Sequence, residues 1–276
     1  VVSKPIPSID ELRFKMQDSA MDTNFLQVRM QRLFSEGFIV LDISEALISF
    51  DAERDAADVQ RFMSEKNLAI IGVRKDGVVA GYATKDELTG GNCADHMQEF
   101  DDKQVLSATS SLQEVMEVLA ETRYCFVSVL GKVGGIVSRT DIQKPPVRMW
   151  LFGMITIMEM FMVRTIEKLH PNGSWQQKVS KGRLKKAEEI LRERQRRNQD
   201  ARLIDCLQFS DKGYILIKDP EMRKDFGFET MGLAKRAIKD LESLRNNLAH
   251  TQDILTHNWA AIVTMATRLN KIMTRI

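Results

Sequence analysis

A chain of 276 residues, 43% hydrophobic and 28% charged, can bury a sizeable core and suggests about two domains. Its net charge of +2 conceals opposite halves: residues 147–276 hold 24 Lys+Arg against 15 Asp+Glu, and residues 1–146 hold 16 against 23. The three cysteines, Cys93, Cys125 and Cys206, have no close spacing, which argues against a disulfide framework or a zinc site and points to a reducing, cytoplasmic setting.

A basic half beside an acidic one suits a protein in which only one half meets a polyanion; a chance imbalance is the competing reading. Val1-Val2-Ser3-Lys4-Pro5 lacks the charged-then-apolar start of a signal peptide. The most apolar run, residues 149–163, is about five residues short of a membrane span. It also contains Glu159, so it reads as a buried helix and no membrane partner is expected.

Residues 1–35 form an N-terminal extension, partly helical, in which Ser8 and Glu11 have the spacing of a capping box. From Phe38 onward, short β-rich and helical runs alternate, and the pattern occurs twice. The first copy has a helix over 57–66, a strand over 68–73, a turn at Lys75-Asp76-Gly77 and a strand over 78–83. The second has a helix over 112–122, a strand over 124–129, a turn at Gly131-Lys132 and a strand over 134–137. The copies align at an offset of about 56 residues through the first strand and about 54 after the turn, an internal repeat of helix, hairpin and helix.

The copies end alike, in Gly81-Tyr82-Ala83-Thr84-Lys85-Asp86-Glu87-Leu88 and Gly135-Ile136-Val137-Ser138-Arg139-Thr140-Asp141-Ile142. At these residues the chain resembles a tandem pair of CBS domains, over 36–143. The resemblance implies an α/β fold of two pseudo-symmetric βαββα-like repeats with clefts for an adenine nucleotide (ATP, ADP or AMP) as regulatory ligand. It also implies nucleotide-binding roles for Thr84, Glu87, Ser138, Arg139 and Asp141. The second copy fits the family's signature through Ser138 and Asp141, whereas the first carries Glu87 in place of Asp, so one working cleft is expected. A hydroxyl can bond a phosphate or ribose oxygen, and a carboxylate three residues on can accept both ribose hydroxyls. The same spacing is also that of a plain helix N-cap, and both readings stay open.

Lys144-Pro145-Pro146 marks a boundary, and 144–276 reads as helical, with helices over 147–169, 182–207, 229–256 and 258–276 forming a bundle. Residues 214–220, rich in Ile and Leu, read as a short extended piece. The second helix concentrates Lys181, Arg183, Lys185, Lys186, Arg192, Arg194, Arg196 and Arg197. Lys185, Lys186, Arg192 and Arg196 are the candidate RNA contacts, against the alternative of a solvated face. Glu188 and Glu193, each four residues before an arginine, pair part of that charge.

On the third helix Leu241, Leu244 and Leu248 form a buried stripe, and Arg245, Asn246 and His250 lie on a polar face beside it. Arg245-Asn246-Asn247-Leu248-Ala249-His250 resembles the Arg-x4-His motif of the HEPN family, many of whose members are metal-independent ribonucleases. Arg164 to His170 also satisfies the looser family spacing, but Thr165-Ile166 follows Arg164, where Asn246 follows Arg245, and Arg164 lies in a largely apolar helix. The resemblance implies an all-α HEPN-type four-helix bundle in which His250 exchanges protons with the RNA 2′-hydroxyl or the leaving oxygen. Arg245 would stabilise the phosphoryl transition state and Asn246 would orient the ring or phosphate. A two-fold homodimer would supply a second His250. No metal is expected, since His250 and Asp253 lack a third convergent ligand.

The expected protein is a nucleotide-regulated endoribonuclease, as in a toxin or an anti-phage or stress effector. The alternative is a non-catalytic nucleotide-sensing module whose helical half binds a protein or RNA.

Overall fold

The computed structural model describes residues 36–250 together with residues 29, 32–34, 252–254, 263, 264 and 267. The Ser8–Glu11 capping box, most of the N-terminal extension and most of the helix expected over 258–276 lie outside the described residues.

The two repeats are built in the same order. β1 (Glu45–Ala46), β2 (Ser49–Asp51), α1 (Ala56–Glu65), β3 (Ile70–Lys75) and β4 (Val78–Thr84) are followed by β5 (Val105–Ser107), α2 (Leu112–Glu121), β6 (Tyr124–Val129) and β7 (Lys132–Ser138). Each helix starts at a side-chain cap. The Asp55 carboxylate accepts from the Asp58 amide at 2.9 Å. Glu114 accepts from the Ser111 amide at 2.7 Å while the Ser111 hydroxyl accepts from the Glu114 amide at 3.3 Å. The hairpins turn on Asp76-Gly77 and Leu130-Gly131, both with positive φ at the two central positions, the conformation that matches strand twist. The second turn therefore falls one residue before the expected Gly131-Lys132.

β2 pairs parallel with β3 and β3 antiparallel with β4; β5, β6 and β7 repeat this arrangement. The strands of the two hairpins correspond at an offset of 54 residues and the helices at 56. The offset thus changes between helix and strand, not in the turn, because four residues (66–69) join α1 to β3 where two (122–123) join α2 to β6. β1 leaves its own repeat and pairs antiparallel with β7, Glu45 opposite Ile136 and Ala46 opposite Gly135. A side chain on Gly135 would press on the Val127 side chain and the Glu45 carbonyl, and one on Gly81 would meet the Gln98 carbonyl. This close approach explains the glycine that opens both signatures.

Leu47, Ile70 and Phe126 pack between the two sheets, with the Phe126 ring 4.8 Å from Tyr82 and 4.7 Å from Phe100 between centroids. The first repeat has its own core around Val59, Met63, Ile71 and Val73. The core of the second, with Leu112, Val115, Val127 and Ile142, runs without a break into the helical half.

That half begins with α3 (Pro145–Leu169), whose two prolines occupy the first helical positions, where a missing N–H costs nothing. α4 (Lys181–Arg196), α5 (Phe209–Ile217), α6 (Pro220–Asp225) and α7 (Met231–Ala249) follow. α3 is long and apolar enough to cross a membrane by length and composition. Here Trp150, Leu151, Ile155, Met158, Met162 and Ile166 are buried in the core it shares with α5 and α7.

Three expectations are corrected. The helix expected over 182–207 stops at Arg196, because Asn198 at positive φ reverses the chain. The Asn198 amide returns to the Gln195 carbonyl and the Gln199 amide to the Arg194 carbonyl, both at 3.0 Å, closing a Schellman motif. The stretch expected to be extended over 214–220 is the end of α5 and the start of α6. α6 opens on the Asp219 side chain, which accepts from the Glu221 and Met222 amides, with Pro220 at the first position. The helix expected over 229–256 ends at Ala249. The described residues thus show α3, α5 and α7 packed together with α4 beside them; the helix expected over 258–276 lies mostly outside the described residues.

Candidate nucleotide cleft and the Arg245–His250 helix

The strand arrangement brings residues from both repeats around a cleft of about 620 Å³. Its walls are residues 45–48, 67–70, 123–124, Ile136 and 138–141. A second depression of about 380 Å³ lies beside it, lined by 67–69, 84–86, Arg123 and Tyr124. The expected site residues therefore separate by repeat: Ser138, Arg139 and Asp141 line the larger cleft and Thr84 the smaller. The four-residue connection 66–69, with Asn67 at positive φ, forms the wall between them.

Asp141 is buried to 9% exposure and its carboxylate is engaged within the chain. One oxygen accepts from the Ser138 amide and hydroxyl, both at 2.7 Å; the other meets the Lys144 ammonium at 2.8 Å. This is the N-cap geometry of the 3-10 turn Arg139–Gln143. Lys144 also donates to the Ile43 carbonyl at 2.6 Å and to Glu45. Burial works against the Lys144 charge, but its bonds to Asp141 and Glu45 outweigh that and hold it above the ordinary lysine range. Arg139 lines the cleft while its guanidinium donates to the Leu119 and Thr122 carbonyls, both at 3.1 Å, closing the C-terminus of α2. Glu87 accepts from the Thr84 hydroxyl at 2.5 Å and from the Gln98 amide at 2.6–2.7 Å. The longer carboxylate reaches its own repeat's loop and is absent from the cleft walls.

Sequence reasoning missed Arg123. It is exposed, lines both depressions and stands where the first repeat has no cation. With Lys144 shared between Asp141 and Glu45 and Arg139 bonded to carbonyls, Arg123 is the cation best placed in the larger cleft to meet a phosphate.

In the helical half, Leu241, Leu244 and Leu248 are buried. The Arg245 guanidinium, 41% exposed, turns to Glu159 of α3 at 3.7 Å. Glu159 in turn holds Lys212 of α5 at 2.7 Å, and Lys212 is only 4% exposed. Glu242 of α7 adds a third link, accepting from the Ser210 amide and hydroxyl at 3.1 and 2.7 Å. Three helices are therefore pinned by a polar spine inside an apolar core. Asn246 is exposed, and His250 is the exposed residue capping α7 past its last helical turn, its amide bonded to the Asn246 carbonyl. Among the described residues no side-chain hydrogen bond joins His250 to Arg245 or Asn246. The competing histidine, His170, caps α3 and contacts the Ser174 hydroxyl at 3.0 Å; burial and Lys178 hold its imidazole below the usual range.

Lys185, Lys186, Arg192 and Arg196 are exposed along α4. Glu193 pairs with Arg197 at 2.9 Å and with Arg196 at 3.7 Å, while Arg192 bonds the Glu188 carbonyl rather than its carboxylate. Among the described residues no group of three or more His, Cys, Asp and Glu side chains is placed to hold a metal.

No family model matches the chain, and no curated protein matches it. Solved structures similar to it include CBS-domain proteins. They include CBSX2 in complex with AMP, at 20% identity over 38% of this chain and 93% of that chain, TM-score 0.35. The CBS domain of a bacterial CNNM/CorC family Mg2+ transporter matches at 15% identity over 51% and 97%, TM-score 0.35. A hemolysin-like CBS-domain protein of Oenococcus oeni PSU matches at 14% identity over 42% and 93%, TM-score 0.34. At such values the paired-repeat fold stands on this chain's own strand order and register, and the HEPN resemblance of the helical half gains nothing from them.

Proposed function

We propose that the chain is an adenine-nucleotide-responsive regulator whose repeat pair binds the nucleotide in the cleft beside Ser138 and whose helical half is the effector. The observation that carries this reading is the cleft itself. It is a 620 Å³ space between two repeats, with a hydroxyl at Ser138, an exposed guanidinium at Arg123 and apolar walls from Leu47, Ile48 and Ile136 for a base. For the effector we propose metal-independent RNA cleavage at α7. Arg245 supplies positive charge to the phosphoryl group, exposed His250 exchanges protons at the 2′-hydroxyl, and Asn246 donates to phosphate. A homodimer would bring a second His250, and the α4 cations Lys185, Lys186, Arg192 and Arg196 would neutralise RNA phosphates.

A second reading is favoured by one observation: Arg245 is paired with Glu159 and shares no bond with His250. Under it the helical half docks on a protein or RNA without cutting. Incubation of RNA in EDTA with wild type, Arg245→Ala and His250→Ala separates the two. Cleavage that falls about 100-fold or more in both variants supports the enzyme. Cleavage surviving both substitutions refutes the site at α7, and no cleavage by wild type with and without AMP supports the docking module.

A further inference from the structure

One short stretch, residues 138–148, runs from the wall of the cleft to the end of α7, and side chains bridge each step. Lys144 is held by Asp141 and Glu45, which both line the cleft. Its neighbour Gln143 ends the same 3-10 turn and faces the other way. The Gln143 amide donates to Asp253, and its carbonyl oxygen accepts from the Ile254 amide and from Arg148, both at 3.4 Å. Arg148, in the first turns of α3, donates to the Asn247 carbonyl at 3.0 Å, the Leu248 carbonyl at 3.3 Å and the Gln252 carbonyl at 2.9 Å. Carbonyls in the last turn of a helix have no partners within it, and a guanidinium there also meets the negative end of the helix.

We propose that Gln143 and Arg148 are positioning residues through which the state of the cleft sets the placement of the α7 end, and with it His250. The proposal rests on the reading of the cleft as the nucleotide site and of α7 as the effector helix. A phosphate or ribose that draws on Asp141 or Lys144 moves the residue next to Gln143, and Gln143 holds the segment that follows His250. A ligand shifts such an equilibrium only by binding its two arrangements unequally, and the bonds shared between cleft and turn supply that inequality.

The test is amide hydrogen exchange over residues 247–254 in the full chain. Asp141→Asn keeps a capping oxygen but removes one of the two charges that hold Lys144. It is expected to speed exchange over 247–254 about threefold, a coupling typical of residues in one hydrogen-bond network. Introduced on a Gln143→Ala background, the same substitution is expected to change exchange by less than about 1.5-fold. Saturating AMP alters the same amides in wild type but not in Gln143→Ala, whose AMP affinity stays within about twofold because Gln143 does not line the cleft. A general loosening by Gln143→Ala would leave the responses to Asp141→Asn and to AMP intact. Equal responses with and without Gln143, or amides indifferent to Asp141→Asn, overturn the coupling. If AMP, ADP and ATP all fail to bind wild type, the nucleotide reading falls, and the Asp141–Gln143 comparison still decides the coupling.

Discussion

Glu159→Ala removes the carboxylate that pairs at 2.7 Å with Lys212, an ammonium 4% exposed between α3 and α5. Lys212 then keeps only the longer-range charge of Asp205 among the described residues, and Arg245 loses its partner at 3.7 Å. Breaking a buried pair by deleting one member costs about 3–5 kcal/mol, because the other charge is left uncompensated. Glu159 is 21% exposed and some water reaches Lys212, which puts the expected loss near the lower figure, about 3 kcal/mol. The Arg245 contact, half in solvent, adds less than about 1 kcal/mol. Replacing both members, Glu159→Met with Lys212→Met, removes the charge and its desolvation together and is expected to lie within about 1 kcal/mol of wild type. Urea unfolding followed by circular dichroism measures all of these. A Glu159→Ala loss below 1 kcal/mol, or a double substitution worse than either single one, would refute the spine as the element that pins α3, α5 and α7.

Arg139→Ala leaves the Leu119 and Thr122 carbonyls at the end of α2 without their donor and is expected to cost about 1–3 kcal/mol in the same unfolding experiment. Burial pushes the Cys125 thiol up to about 12 from 9.0. The unfolded chain therefore ionises it first, so its stabilising share is full below pH 9 and lost as pH rises toward 12. Urea midpoints over that window should fall less steeply in Cys125→Ala, and an identical slope would contradict the burial. Asp205 is pushed up by burial, but its bonds to Arg202 prevail and hold it below the usual carboxylate range. Its share of stability is present above the unfolded value of 3.8 and lost as pH falls below it, so Asp205→Asn should flatten the acid limb of the stability profile.

The repeat was legible because each local signal agreed with its neighbours. Ser111 and Glu114 announce a helix start, and Asp76-Gly77 announces a hairpin. What the sequence hid arose from burial or from distant pairing. α5 is buried on nearly every side, Lys212 and Gly213 included, so it shows no amphipathic period, and its Ile215-Leu216-Ile217 run reads like a strand. Its signal lay elsewhere: Glu159, a lone charge in the apolar run 149–163, demands a partner. The end of α4 hinged on Asn198 entering the left-handed region, which the basic periodicity masked. Arg123 carries no motif and gains its place only when the 66–69 connection folds beside it. The family resemblance pointed to Ser138 and Asp141, but no sequence pattern could say that Lys144 holds the carboxylate's second oxygen.

The measurement that bears most directly on the proposed function is calorimetric titration of the full chain with AMP, ADP and ATP, comparing wild type with Arg123→Ala. The substitution removes an exposed side chain and leaves the fold intact, so a change in affinity reports the cleft. Saturable binding by wild type that weakens about tenfold in Arg123→Ala, the loss of one charge-assisted phosphate contact, is the predicted result. Absence of binding to wild type, or equal affinity in the variant, would contradict it.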